Sequence, residues 1–235
     1  MEFSIEPLGD QCVIIQFFGK EITFLCRHVR ALDVQLSKAK IPGVVETVPA
    51  YASLAVTYNP LIVQFVSLRE SLTNTITSSF KSNVPEGKHF EIPVCYEEMY
   101  APDLGVVAAH SGLTTDQVIL RHSQPHYLVA MIGFTPGFPY LLGLPDELST
   151  PRKSTPRHVV AAGSVGIGGA QTGIYSLETP GGWNIIGRTP IRLFRQNNAN
   201  PSLLSAGDTV KFVPVDEASF RTIKEEADGK REYSQ

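Results

Sequence analysis

The densest chemistry in the chain is a short cationic run, Pro151-Arg152-Lys153-Ser154-Thr155-Pro156-Arg157-His158. Three cations and two hydroxyls on a proline-stiffened loop can hold a carboxylate or phosphate, and arginine can do so with two parallel N–H groups. A solvated basic loop would read the same way. Just upstream lies Gly133-Phe134-Thr135-Pro136-Gly137-Phe138-Pro139-Tyr140-Leu141. Glycine and proline at that density are incompatible with regular helix or a central strand. The rings of Phe134 and Phe138 therefore stand on a backbone with few accessible conformations, where they either wall a pocket or fill the core as a rigid turn. Downstream, the run from Ala162 to Tyr175 is rich in glycines that would let backbone N–H groups approach a ligand. Ser164, Gln171, Thr172 and Tyr175 add neutral hydrogen-bonding groups there. Turns of a β-barrel explain many of these glycines equally well.

A fourth run, Gly181-Gly182-Trp183-Asn184-Ile185-Ile186-Gly187-Arg188-Thr189-Pro190, spells G-x4-G-[K/R]-T from Gly182, a phosphate-loop pattern with Arg188 in place of lysine. The reading fails on its context. A phosphate loop is small and flexible and leads into a helix, whereas Trp183, Ile185 and Ile186 read as a buried strand and Ile191 to Phe194 alternates like another. Trp183 then packs at a pocket wall or in the core, and Arg188 remains a candidate cation for phosphate or substrate. His122 and His126 have the spacing of a helical zinc site, but Pro125 interrupts the helix between them, so no metal site is expected. Neither H-E-x-x-H nor G-x-S-x-G occurs. Carboxylates in the glycine-rich region are scarce, chiefly Asp146, Glu147 and Glu178, and offer no general-base pair.

The elements that must position these groups follow from periodicity. Phe3 to Pro7 and Cys12 to Phe18 read as strands joined by a turn at Leu8-Gly9-Asp10. Apolar residues recur at helical spacing from Glu21 to Lys40, with Pro42-Gly43 ending that helix. A second strand pair follows at Val44 to Val48 and Leu54 to Tyr58, and a helix from Pro60 to about Phe80. This predicts a small ββαββα domain with both helices on one face of a sheet. The polar stretch 81–88 marks the boundary, giving domains 1–84 and 85–235. Beyond it come a strand at Phe90 to Tyr96 and helices near Asp103 to His110 and Thr115 to His122. The second of these has a capping-box start, Thr114 with Gln117. Residues 133 to 187 hold 11 of the 19 glycines and 6 of the 17 prolines, which predicts a β-barrel or sandwich with elaborate loops. Late strands are expected at Ile191 to Arg195 and Thr209 to Val215, before a partly helical tail. The fold class is thus α+β.

Composition narrows the partners. A net charge of −3 gives no electrostatic reason to expect nucleic acid or an anionic membrane. No apolar stretch reaches the roughly 20 residues needed to span a bilayer, and Met1-Glu2-Phe3-Ser4 does not resemble a leader. Cys12, Cys26 and Cys95 lack metal-ligand spacing and read as reduced thiols of a cytoplasmic protein.

Taken in order, the runs at 133–141, 151–157, 162–167, 171–175 and 179–183 resemble the signature of the B-subunit family of bacterial ATP-dependent 5-oxoprolinases. That family is related to allophanate hydrolase subunit 1, to the inhibitor KipI, and to subdomains C and D of carboxyltransferase domains. Leu8-Gly9-Asp10 and Pro49-Ala50-Tyr51 with Ser53-Leu54 resemble its N-terminal marks, and Arg188 stands where lysine is often expected. The resemblance implies a cyclophilin-like β-barrel as the second domain. It also implies ATP-driven opening of 5-oxo-L-proline to L-glutamate in a complex with two other subunits, A-like and C-like, with ATP as cosubstrate. In that setting Arg152, Lys153 and Arg157 would bind phosphate or substrate carboxylate. Gln171, Thr172 and Tyr175 would orient the substrate, and Phe138 and Trp183 would wall the pocket. The alternative implied by the same resemblance is a protein-binding inhibitor of a sporulation histidine kinase.

Overall fold

Period-two alternation organises the first strands of the computed structural model, which describes residues 1–19, 21–79 and 86–229. The chain divides into two units, Met1–Gly87 and Lys88–Gln235. Residues 81–85, within the stretch where the sequence predicts a boundary, lie outside the described residues, as does Phe80 at the expected end of the second helix.

The first unit runs β1 (Glu2–Pro7), β2 (Cys12–Phe18), α1 (Ile22–Ala39), β3 (Val44–Ala50), β4 (Ser53–Tyr58) and α2 (Phe65–Ser79). Its strands form one antiparallel sheet in the order β1-β2-β4-β3. Val13, Ile15 and Phe17 of β2 and Leu54, Val56 and Tyr58 of β4 point to one face. There they meet Leu25, Val29, Leu32 and Leu36 of α1 and Leu68, Leu72 and Ile76 of α2 in a single core. Glu21 caps α1 by accepting the N–H groups of Thr23 and Phe24, and Lys40 ends it in the left-handed conformation, φ 46°. The helix expected from Pro60 begins later, at Phe65. The Asn59 side chain accepts the Leu61 N–H, and its carbonyl accepts those of Ile62 and Val63, so a capping turn occupies the residues after Pro60.

The second unit is a closed seven-stranded barrel in the order β10-β7-β6-β13-β5-β12-β9. Its strands are β5 (His89–Cys95), β6 (Tyr127–Ile132), β7 (Pro139–Leu142), β9 (Ser164–Gly168), β10 (Gln171–Ile174), β12 (Asn184–Arg188) and β13 (Thr209–Val215). All pairings are antiparallel except β5 with β13, which is parallel over seven residue pairs. A separate ribbon joins β8 (Arg157–Val160) to β11 (Thr179–Gly181). Helices α3 (Leu104–Ser111) and α4 (Thr115–Ser123) bury Val107 and Val118 in the barrel's core, and α5 (Glu217–Gly229) follows β13. The predicted capping box at Thr114 and Gln117 is formed. Residues 191–195 are not a strand. Leu203 donates to the Leu193 carbonyl and Arg195 to that of Pro201, which leaves an irregular loop with one isolated bridge, Phe194 to Ser202. No helix among the described residues is long and apolar enough to cross a membrane.

One polar chain threads the barrel's interior. Thr172 donates to the Gly166 carbonyl at 3.0 Å, so its oxygen accepts from His122 Nε2 at 3.0 Å. That assigns the proton to Nε2 and leaves Nδ1 to accept from the Tyr96 hydroxyl at 2.9 Å. Burial pushes the His122 imidazole down to about 3 from its ordinary 6.5, so it is neutral.

Candidate functional site

Two backbone pairings and one side-chain bond bring the cationic loop against the start of β12. Lys153 N–H donates to the Gly182 carbonyl at 2.8 Å. Asn184 Nδ2 donates to the Pro151 carbonyl at 2.9 Å and so ties down the loop's first residue. Arg157 stands opposite Gly181 in the β8–β11 ribbon, two residues before Trp183. Lys153 and Arg157, from one run, and Trp183, from another, are thus neighbours.

The group that joins them is Asp103, which no sequence motif exposed. It precedes α3, yet its carboxylate makes no bond to its own helix. Instead Oδ1 accepts Arg157 Nη2 at 2.8 Å and Lys153 Nζ at 3.0 Å, while Oδ2 accepts the Ile185 N–H at 2.7 Å. Asp103 N–H returns a bond to the Ile185 carbonyl at 2.9 Å, which locks the helix start to β12. Burial pushes the Asp103 carboxyl up, but the bonds from Arg157, Ile185 and Lys153 outweigh it and hold the group below its ordinary value. With its lone pairs occupied and its charge fixed, Asp103 is a positioning residue and not a base.

Arg157 is held by one arm only. Its Nη1 is buried and makes no hydrogen bond among the described residues, a state that costs free energy unless an acceptor meets it. Arg152 holds its guanidinium carbon 5.8 Å from the Trp183 ring centroid, a cation–π contact, and like Arg157 acts electrostatically on Tyr175. Arg152, Lys153 and Arg157 against one carboxylate leave the cluster with two excess positive charges, which favours an anion.

Beneath the cations lies an aromatic box. Phe138 meets Trp183 edge-on at 5.4 Å and Tyr175 at 5.3 Å, and Tyr140 packs against both Phe138 and Trp183. Phe138, Tyr175 and Trp183 are buried, whereas Phe134 is 59% exposed and sits at φ 65°, an unusual conformation for an aromatic residue. Burial raises the Tyr175 hydroxyl above its ordinary value, partly offset by the Trp183 N–H it accepts and by nearby Arg152 and Arg157. It stays protonated and can donate.

Glycines read as ligand-approach points serve this box instead: a Cβ on Gly168 would lie 2.5 Å from Trp183 Nε1, and one on Gly173 would lie 3.1 Å from the Phe138 ring. Gly181, from the following run, does the same, since a Cβ there would collide with the Tyr175 hydroxyl. The glycines are seats for rings.

Thr172 and Arg188 stand apart from the cationic cluster. Thr172 is fully buried in the barrel's interior with its hydroxyl occupied, so it is separated from the cationic cluster. Ser164 is buried, and its carbonyl accepts the Tyr175 N–H. Gln171 is half-buried and pairs with Gly168 across the β9–β10 turn. Arg188, at the far end of β12 from Trp183, donates from Nε to the Ala162 carbonyl and lines a different cavity. No cluster of potential metal ligands is found among the described residues.

Comparison with known proteins places this architecture. Residues 3–204 match the family described as carboxyltransferase domain, subdomain C and D. The chain is 39% identical to the 5-oxoprolinase B subunit of Bacillus subtilis (strain 168), over 97% of this chain and 99% of that protein. It is 49% identical to the 5-oxoprolinase B subunit of Haemophilus influenzae, over 89% and 97% respectively. Among solved structures, the crystal structure of TTHA0988 aligns with a TM-score of 0.76 and 34% identity, covering 88% of this chain. This chain spans 40% of that longer one. Matched nearly end to end by these subunits, the chain belongs to the 5-oxoprolinase B-subunit family, within the carboxyltransferase subdomain C and D proteins.

Proposed function

We propose that this chain is one subunit of a cytoplasmic, multi-subunit ATP-dependent 5-oxoprolinase that opens 5-oxo-L-proline to L-glutamate, assembled with an A-like and a C-like partner. The naming of its near full-length relatives supports the subunit role. The observation that carries the chemical reading is the buried, unpartnered Nη1 of Arg157 in a cluster with excess positive charge.

5-Oxoproline is a carboxylate at neutral pH, and its lactam is a stable amide. Transfer of the γ-phosphoryl group from ATP to the lactam oxygen would turn a poor electrophile into a good one and release ADP. Water then adds to the ring carbon and the C–N bond opens to give γ-glutamyl phosphate, which a second water cleaves to glutamate and phosphate. Within this scheme Arg157 and Arg152 hold the substrate carboxylate, Asp103 and Lys153 fix the Arg157 fork, and Tyr175 donates its O–H. Excess positive charge also favours the second carboxylate as it forms.

The test is ATP-dependent glutamate release from 5-oxoproline by this chain alone and with its two partner subunits. Activity is expected in the mixture only. Arg157→Ala should lower it by roughly a hundredfold, the scale of removing a charged hydrogen bond at a reacting site. An inactive but well-formed complex, or full activity in a folded Arg157→Ala complex, would overturn the reading.

A further inference from the structure

Sequence spacing pairs His126 with His122, but the fold gives it a different partner. Both ring nitrogens of His122 are spent inside the barrel, on Tyr96 and Thr172. His126 immediately precedes β6, and its ring lies against that of His89, the first residue of β5, with centroids 5.0 Å apart and planes tilted by 39°. The two strands flank the start of β13, where Thr209 stands opposite His89 on one side and Leu128 on the other. Both histidines are exposed. Farther along the same ladder Glu91 stands opposite Lys211, so the flanking charges offset.

The hydrogen bonding around the pair suits a metal ion. His89 Nδ1 and the Thr209 hydroxyl are 3.0 Å apart. With Thr209 accepting, the proton sits on Nδ1 and Nε2 carries an open lone pair, the state that outer-sphere partners impose on metal-binding histidines. Nε2 of His89 and both ring nitrogens of His126 have no hydrogen-bond partner among the described residues. The separation fits as well. Imidazoles that share one tetrahedral ion through nitrogens about 2.0–2.1 Å from it have ring centres about 5 Å apart. We propose that His89 and His126 form an open bis-imidazole site for a late first-row divalent cation, the class of ion that imidazole nitrogens favour. No group of three or more potential ligands gathers among the described residues, so water completes the coordination and the affinity is modest. A bound ion would tie β5 to β6 across the start of β13. The site shares no residue with the Asp103 cluster and is independent of the oxoprolinase reading.

Titration calorimetry of the full, untagged chain with Ni²⁺ in a non-chelating buffer tests it. A single ion per chain should bind. His89→Asn and His126→Asn should each remove that binding, whereas Thr209→Val should weaken it by roughly tenfold, the scale of a lost outer-sphere partner. His110→Asn, at another exposed histidine, should change nothing. Both replaced ligand positions are exposed, so the variants should fold, and fluorescence of the sole tryptophan, Trp183, during urea unfolding checks that they do. The same signal should show Ni²⁺ raising the unfolding midpoint of the wild-type barrel unit and of neither histidine variant. Absence of Ni²⁺ binding at millimolar concentration overturns the proposal. So does binding that survives either histidine substitution. Two ions, each lost with one histidine, would overturn it too, by making the rings separate weak ligands.

Discussion

A single carboxylate decides how the cationic cluster is organised. Asp103 is 2% exposed and receives one bond each from Arg157, Lys153 and the Ile185 backbone. Asp103→Asn preserves shape and the Ile185 bond but removes the charge, so it should destabilise the barrel unit by about 1–3 kcal/mol. It should also loosen Arg157 and raise KM for 5-oxoproline in the assembled enzyme more than it lowers kcat. The sign with pH follows from the depressed Asp103 pKa. The carboxylate's contribution is complete above its unfolded value and is lost as pH falls through the folded one. The protein contains one tryptophan, Trp183, so urea unfolding followed by its fluorescence reports the barrel unit alone. The cations were legible in the sequence because three of them share one proline-stiffened loop. Asp103 was not, because it is 50 residues from Lys153 and 54 from Arg157, and Pro102-Asp103-Leu104 reads as an ordinary helix start. The missing cap bond, which marks its other role, exists only in three dimensions.

At the scale of elements, the glycine-rich strands behave as a floor cut to the shape of the rings above it. Gly168→Ala should force Trp183 off its position and destabilise the barrel by about 1–3 kcal/mol, the usual cost of overpacking. A red shift of Trp183 emission together with an earlier unfolding midpoint would confirm this, and an unshifted spectrum at wild-type stability would refute it. Sequence composition announced the barrel region, but it did not distinguish a glycine that admits a ligand from one that admits an indole. The distinction depends on Trp183 and Gly168 coming together across the β9–β12 pairing. Ile191 to Arg195 shows the opposite limit. Its alternation suits a strand, yet with Arg195 and Leu203 bonded across the loop it never joins a ladder. Strand pattern is necessary for a strand, and a partner of matching length is needed as well.

For the barrel as a whole, the His122 chain is a buried acid sensor. Its imidazole is neutral when folded, with a pKa of about 3 against 6.5 when free. The unfolded state therefore binds the extra proton between those values. The stability this contributes is complete above pH 6.5 and declines as pH falls toward 3, by up to about 1.4 kcal/mol per unit. His122→Gln should cost stability at neutral pH and flatten that slope, so the two proteins converge on acidification. Parallel urea titrations at several pH values would show it, and an unchanged gap would rule it out.

The parallel pairing of β5 with β13 has a consequence for how the protein is made. These two strands open and close the barrel unit, and their partners are 120 residues apart, as in the bond from Lys88 to Asp208. The other neighbour of β5, β12, also comes late in the chain. At translation speeds of about 5–20 residues per second, β5 would leave the ribosome roughly 6–24 s before its parallel mate. Through that interval its backbone groups are open to pairing with any other nascent strand, so the window for error in this fold is set by the ribosome's pace.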